Sequence, residues 1–161
     1  MDLDQQTRRQ FCARTCCAAG VALLGAAFGA VLQSCGGGSP TSPGGGDAAS
    51  LPTINGTVAG ASILVTIDAG SPLAAAVSVA LVRSGAGNVL VARTSHDAFS
   101  ALSATCTHQG CAITGHSGQT FVCPCHGAQF DSSGRVLSGP APTALRQYAT
   151  QFANGVLTIS A

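Results

Sequence analysis

Two short runs of this chain carry residues able to do chemistry: C-T-H-Q-G-C at 106–111 and C-P-C-H-G-A-Q-F at 123–130. Each offers one thiolate and one imidazole. Cys106 and His108 stand in C-x-H spacing, Cys123 and His126 in C-x-x-H spacing, with residues 109–122 between the two pairs. Two sulfur and two nitrogen donors suit a tetrahedral zinc ion. They suit equally a two-iron, two-sulfur centre in which the thiolates hold one iron and the imidazoles the other. Spacing alone does not separate these. A further Cys stands in each run, Cys111 and Cys125. The remaining two His, His96 and His116, fit neither pair and read as a turn residue beside Asp97 and a solvent-facing loop residue.

The elements that must position these runs read as strands. Residues 62–68 (SILVTID), 77–83 (VSVALVR) and 88–94 (NVLVART) are apolar and β-branched, and Gly/Pro/Ser/Asn clusters separate them. Shorter strands are expected at 120–123, 128–131, 145–152 and 156–160. Asn154-Gly155 marks a tight hairpin between the last two. Residues 131–134 (DSSG) read as a turn and 139–142 (GPAP) as a rigid loop. A short helix fits over 98–104, with no periodicity to support it. The expected fold is all-β: a small antiparallel sandwich or barrel with a loop-rich insertion holding the Cys and His residues.

Composition agrees. Of 161 residues only 8 % are charged, every cation is Arg and every anion Asp, and the formal net charge is +1. Gly is frequent, with 21 residues, Lys and Glu are absent and Leu is scarce after the N-terminus, which disfavours a helical bundle. Near-neutrality also gives no case for nucleic acid as a partner, since that needs a basic patch.

The 8 Cys fall into two groups, and Cys12, Cys16, Cys17 and Cys35 lie far upstream of the other four. Residues 1–35 read as an address. Arg8 and Arg9 precede an uncharged apolar run from about Cys16 to Leu32. This resembles a twin-arginine export signal, with the run as its signal or anchor helix. Such a route carries folded proteins, which suits a metal centre assembled before export. Cys35, after L-Q-S and before G-G-G, resembles the lipid-bearing residue of a lipoprotein cleavage box; an uncleaved anchor or simple cleavage are the alternatives. Residues 36–50 read as a flexible linker and 51–161 as the folded domain. The expected location is the periplasm or the outer face of a bacterial cytoplasmic membrane, with the membrane reached through the anchor or a lipid.

Over roughly 51–161 the chain resembles the Rieske iron–sulfur family. Thr107, Gly110, Pro124, Gly127 and Gly139-Pro140 match its pattern as well as the four ligands do, and this favours iron over zinc. The resemblance implies a [2Fe-2S] cluster with Cys106 and Cys123 on an inner iron and His108 and His126 on an outer iron near the surface. Mixed ligation leaves the oxidised cluster near neutral and so easier to reduce, at ~−150 to +300 mV against about −400 mV for all-Cys plant-type centres. Each bound His keeps a ring N–H, so electron and proton uptake are coupled. Cys111 and Cys125 resemble the disulfide of the quinol-oxidising branch, which staples the two loops; the alternative is extra metal ligands.

Three positions depart from that branch. Ala128 and Phe130 stand where high-potential members carry Ser and Tyr, whose hydroxyls donate to cluster sulfurs. Losing donors to sulfur lowers the potential. Gln109 stands where a Leu often meets a cytochrome b partner. The implied function is one-electron transfer, with a cytochrome, an oxidoreductase subunit or quinol as redox partners. The alternative is a subunit of a larger oxidoreductase, either a cytochrome bc complex or an arsenite-oxidase-like enzyme. A cluster-free binding domain is the third reading. No catalytic residue is expected, and the chain is too short for a ring-hydroxylating oxygenase.

Overall fold

The computed structural model describes residues 48–160, and all of its regular structure is β. In chain order the strands are β1 (Ala49–Ser50), β2 (Thr53–Asn55), β3 (Thr57–Ala59), β4 (Ser62–Thr66), β5 (Ser78–Ser84), β6 (Gly87–Arg93) and β7 (Phe99–Ser103). They continue with β8 (Gly115–Ser117), β9 (Thr120–Val122), β10 (Gln129–Phe130), β11 (Val136–Ser138), β12 (Gln147–Ala153) and β13 (Val156–Ser160). Among the described residues no helix is long and apolar enough to cross a membrane. Arg8, Arg9, the apolar run to Leu32, Cys35 and most of the linker lie outside the described residues. Ala49 and Ser50, within the stretch read as linker, pair with His116 and Gly115.

The larger sheet has eight strands in the order β2-β5-β6-β7-β12-β13-β4-β3, antiparallel except where β2 runs parallel to β5. Its two end strands, β2 and β3, are joined by Gly56 alone, so the sheet nearly closes on itself. A Cβ at Gly56 would stand 2.6 Å from Ile63 Cγ2 and 2.9 Å from Val82 Cγ1, so the seam admits no side chain there.

β5 and β6 explain why their sequence is a continuous apolar run rather than an alternating one. Both faces are covered. Ala80, Val82, Val89 and Val91 point into the barrel interior with Ile63, Val65, Leu157 and Ile159. Val79, Leu81, Leu90 and Ala92 point the other way, into a second core with Phe121, Phe130, Cys106 and Cys123. Each fully buried Val or Leu contributes ~1.5–3 kcal/mol. The ribbon β5–β6 is therefore the floor on which the Cys/His loops rest. The smaller sheet, in the order β1-β8-β9-β10-β11, forms the roof of that second core.

Asn154 and Gly155 adopt φ of +50° and +74°, the tight hairpin turn expected between β12 and β13. Residues 131–134 also turn as expected: Asp131 Oδ1 accepts from the Ser133 N–H (2.8 Å), the Ser133 hydroxyl (2.7 Å) and the Arg135 N–H (2.9 Å).

Three expectations need correction. Residues 99–103 form β7 rather than a helix. The core edge beside β6 demands a ladder partner, and Ala101 and Leu102 bury on opposite faces. His116 is part of β8 and half-buried, its Nδ1 3.0 Å from the Gly118 carbonyl. Val77 precedes β5 instead of opening it. Its φ is +62°, unusual for a β-branched residue. The loop before it is clamped by Arg93, a buried cation whose guanidinium donates to the Leu73 carbonyl (2.8 Å) and the Ala74 carbonyl (2.6 Å), and lies against the Phe99 and Phe152 rings. His96 is exposed with Nδ1 2.9 Å from Asp97 Oδ1, as expected.

Candidate metal centre

The two Cys/His loops are one backbone turn used twice. In the first, the Cys106 N–H donates to the Cys111 carbonyl (2.8 Å) and the Gly110 N–H to the Cys106 carbonyl (2.9 Å). In the second, the Cys123 N–H donates to the Ala128 carbonyl (2.8 Å) and the Gly127 N–H to the Cys123 carbonyl (3.0 Å). Each turn thus starts at a free Cys, closes on the residue five positions later and reverses at the residue four positions later. That reversing residue has φ of +74° at Gly110 and +71° at Gly127, a conformation Gly adopts without a Cβ clash. The His position differs, third in one turn and fourth in the other, as does that of the disulfide Cys, sixth and third.

A third loop supports both. The Thr107 hydroxyl donates to the Thr143 carbonyl at 2.7 Å, tying the first turn to the segment after 139–142. Gly139 lies flat against the second turn: a Cβ there would stand 2.7 Å from Ala128 Cα and 3.1 Å from the Gly127 carbonyl oxygen. Neither contact is visible in residue types or spacing, although the Gly-Pro pair marks the place.

The turns place two thiols in the second core. Cys106 is 2 % exposed and Cys123 1 %, and both are free. Burial pushes the Cys106 thiol above its ordinary value. The backbone amides of His108 and Gln109, aimed at its sulfur, oppose this, while the neighbouring Cys123 adds to it. The His108 and His126 rings meet edge to face with centroids 4.8 Å apart. His108 is half-buried and His126 exposed.

Cys111 and Cys125 form a disulfide that joins the turns across a sequence separation of 14. Their sulfurs lie within 4.8 Å of the Cys123 sulfur, close enough to resemble a metal trio. Bonded to each other, they are not thiolates, which removes the reading of extra ligands.

One atom shows what this arrangement lacks. His108 Nδ1 is fully buried and, among the described residues, is the one buried side-chain nitrogen or oxygen without a partner. An unmade hydrogen bond of this kind costs ~1–3 kcal/mol. A metal bond to Nδ1 removes that cost. Two buried free thiols and a second imidazole alongside complete a Cys₂His₂ donor set, so the residues present fit a two-iron, two-sulfur group.

Comparison with known proteins points to one family. Residues 65–149 match the model of the Rieske [2Fe-2S] domain. The cytochrome b6-f complex iron-sulfur subunit of Synechococcus sp. (strain CC9605) is 53 % identical over 45 residues, 27 % of this chain and 25 % of that protein. The subunit of the same name from Chlorobaculum tepidum is 38 % identical over 63 residues, 38 % of this chain and 35 % of that protein. The match thus spans between a quarter and about a third of these relatives' length. Among solved structures, the cyanobacterial plasma membrane Rieske protein PetC3 from Synechocystis PCC 6803 is 38 % identical, with a TM-score of 0.47, covering 52 % of this chain and 86 % of that one.

Proposed function

We propose a function from the premise that this chain belongs to the Rieske [2Fe-2S] domain family: it is a one-electron carrier, held at the outer face of a membrane. Cys106 and Cys123 would hold one iron of its cluster, and His108 and His126 the other. A bound [2Fe-2S] centre of this ligation supplies reversible one-electron exchange at a potential above that of all-Cys centres. The chain's own residues do the rest. Cys106 and Cys123 offer their sulfurs from a dry core. The amides of His108 and Gln109 place positive dipoles on the Cys106 sulfur. The disulfide and the 139–142 loop hold the two turns at a fixed separation. His126 brings its ring to the surface, where it would stand between the cluster and a redox partner.

The observation that carries this reading is the buried, unpartnered His108 Nδ1, whose ring meets that of His126, in a turn that also holds the buried free thiol of Cys106. The location belongs to the same proposal. Arg8 and Arg9 would direct export of the folded domain, and Cys35, lipidated, or the apolar run before it would tether the domain through the 36–50 linker. One solved relative is named a plasma membrane protein, and a disulfide in the domain suits an oxidising compartment.

A second reading, a subunit of a quinol-oxidising complex, is favoured by the names of the curated relatives. Ala128, Phe130 and Gln109 weigh against it, since this chain lacks the hydroxyls and the Leu of that branch. The test is to purify the matured protein and assay iron, acid-labile sulfide and zinc together with the EPR spectrum of the reduced form. Two irons, two sulfides and a low average g value support mixed His/Cys ligation. Zinc without iron overturns it. Replacing His108 or His126 by Cys is expected to shift that spectrum toward the all-Cys type.

A further inference from the structure

The end of the stretch read as linker is built into the roof sheet. Of the five strands there, β8, β9, β10 and β11 all lie between β7 and β12 in the chain, and β1 alone comes from outside. Ala49 and Ser50 pair with His116 and Gly115, and the Leu51 N–H donates to the Thr114 carbonyl at 2.8 Å. Ala48 seats against Gly115, where a Cβ would stand 3.3 Å from Ala48 Cβ and 3.1 Å from the Val122 carbonyl oxygen. Leu51 is 6 % exposed and belongs to the same core as Cys106 and Cys123.

The strand gripped in this way reaches both Cys/His turns. Before Thr114, the Ile113 N–H donates to the Ala104 carbonyl (2.8 Å), Ala112 bridges Thr105, and the Cys111 carbonyl accepts from the Cys106 N–H. On the other edge, Gly115 pairs with Val122, the residue before Cys123. A backbone ladder thus runs from residues 48–51 to the start of each turn.

We propose that Ala48–Leu51 is a positioning element of the metal centre, with Leu51 as its positioning residue: it holds β8 in place, and β8 holds the two turns in register. The inference rests on the electron-carrier reading above and deepens it. A loosened first turn misaligns the amides of His108 and Gln109 that are aimed at the Cys106 sulfur. Fewer donors on sulfur lower the potential. A loosened turn also lets Cys106 and His108 release metal more readily. An equal loss of packing in the barrel interior has neither consequence, because the two cores are separate. The same geometry delivers any pull borne by the linker to the strand between the two turns rather than to the barrel.

The test compares Leu51→Ala with Leu157→Ala in the full, cluster-loaded chain. Each removes the same atoms from a buried site, one in each core, and each lowers Tm. Leu51→Ala is expected to release iron to a chelator about tenfold faster than Leu157→Ala does. It should also broaden the EPR lines and lower the midpoint potential, whereas Leu157→Ala keeps the wild-type spectrum and midpoint. Ala49→Pro takes a donor from the same edge without emptying a core. It should act in the direction of Leu51→Ala, and it decides the matter if either Ala variant fails to fold. Iron release, spectrum and midpoint that change alike in the two Leu variants overturn the proposal, as does an Ala49→Pro protein that behaves as wild type. Hydrogen exchange over residues 104–117 separates the two levels. A wild type without iron and sulfide defeats the electron-carrier reading. Exchange in that segment that speeds up no more in Leu51→Ala than in Leu157→Ala defeats the positioning inference.

Discussion

Restoring two hydroxyls should raise the reduction potential. Ala128 and Phe130 are both fully buried, in the same core as Cys106 and Cys123, so a hydroxyl placed at either has no water to prefer over sulfur. A hydrogen bond to a charged acceptor has a net worth of about 1.5–3 kcal/mol. The sulfurs are negative in both redox states and more so in the reduced one, so roughly half of that, about 1 kcal/mol, is differential. For a one-electron couple this is about 40 mV per donor. Ala128→Ser with Phe130→Tyr is therefore expected to raise the midpoint by about 80 mV, and each single change by about half of that. The wild-type midpoint should correspondingly lie below that of ubiquinol-oxidising relatives. The assay is a potentiometric titration followed by EPR, with the spectrum confirming an intact centre in each variant. Phe130→Leu, which alters packing but adds no donor, should leave the midpoint where it is. A double variant with an unchanged spectrum and an unchanged or lower midpoint would refute the reasoning.

Three further outcomes are expected. Replacing Cys111 and Cys125 by Ser opens a loop of sequence separation 14, which should cost about 3 kcal/mol in thermal or denaturant unfolding and speed release of iron into a chelator. Gly139→Ala drives a Cβ to within 2.7 Å of Ala128 Cα at a φ of +92°; a loss of about 2–3 kcal/mol and a lower Tm should follow, with bleaching of the visible absorbance at a lower temperature. Asp131→Asn probes pH dependence. Burial raises the Asp131 pKa, but the Ser133 hydroxyl, the Arg135 and Ser133 amides and the Arg135 charge outweigh it, so the folded value lies below the ordinary 3.8. The carboxylate's contribution, about 1 kcal/mol after screening, is therefore present above that ordinary value and lost as pH falls through the lower folded one. Wild type and variant should differ in stability at pH 6 and converge near pH 2; a constant gap would show that the charge is irrelevant.

What was legible in the sequence was what single residues or long runs encode. β5, β6 and β13 have β-branched runs long enough to bury, and their bounds shifted by no more than a residue. β7 did not read as a strand because F-S-A-L-S is short and three of its five residues are Ser or Ala. It is one because its ladder partners, β6 and β12, arrive from opposite directions in the chain. β8, G-H-S, has no strand propensity at all and is set by its neighbours β1 and β9. β2 and β3 were hidden by the Asn55-Gly56 interruption, which is the seam of the barrel. At the site, the residues proposed as ligands stood out in the sequence, and the contacts that support their loops did not. The Thr107 bond to the Thr143 carbonyl, across a separation of 36, and the contact of Gly139 with Ala128 join segments that residue types alone do not bring together. The common turn is a pattern of backbone hydrogen bonds, which Cys and Gly spacing only hints at.

That common turn makes the two imidazoles unequal. The loops share a backbone, yet one His stands at the third position and the other at the fourth. The third position sends His108 inward, where its Nδ1 loses water and must find another partner. The fourth sends His126 to the surface. A site with two His at the third position would bury both imidazoles and leave no exposed route to the metal; two at the fourth would leave both donor atoms competing with water. On the proposed ligation, the C-x-H and C-x-x-H spacings, which look like loose variants of one motif, would divide the work between a ligand that seals the centre and a ligand that connects it to a partner. If that division holds, replacing His126 should alter electron exchange with membranes more than replacing His108 does, in variants matched for iron content. Replacing His108 should instead dominate the loss of iron itself.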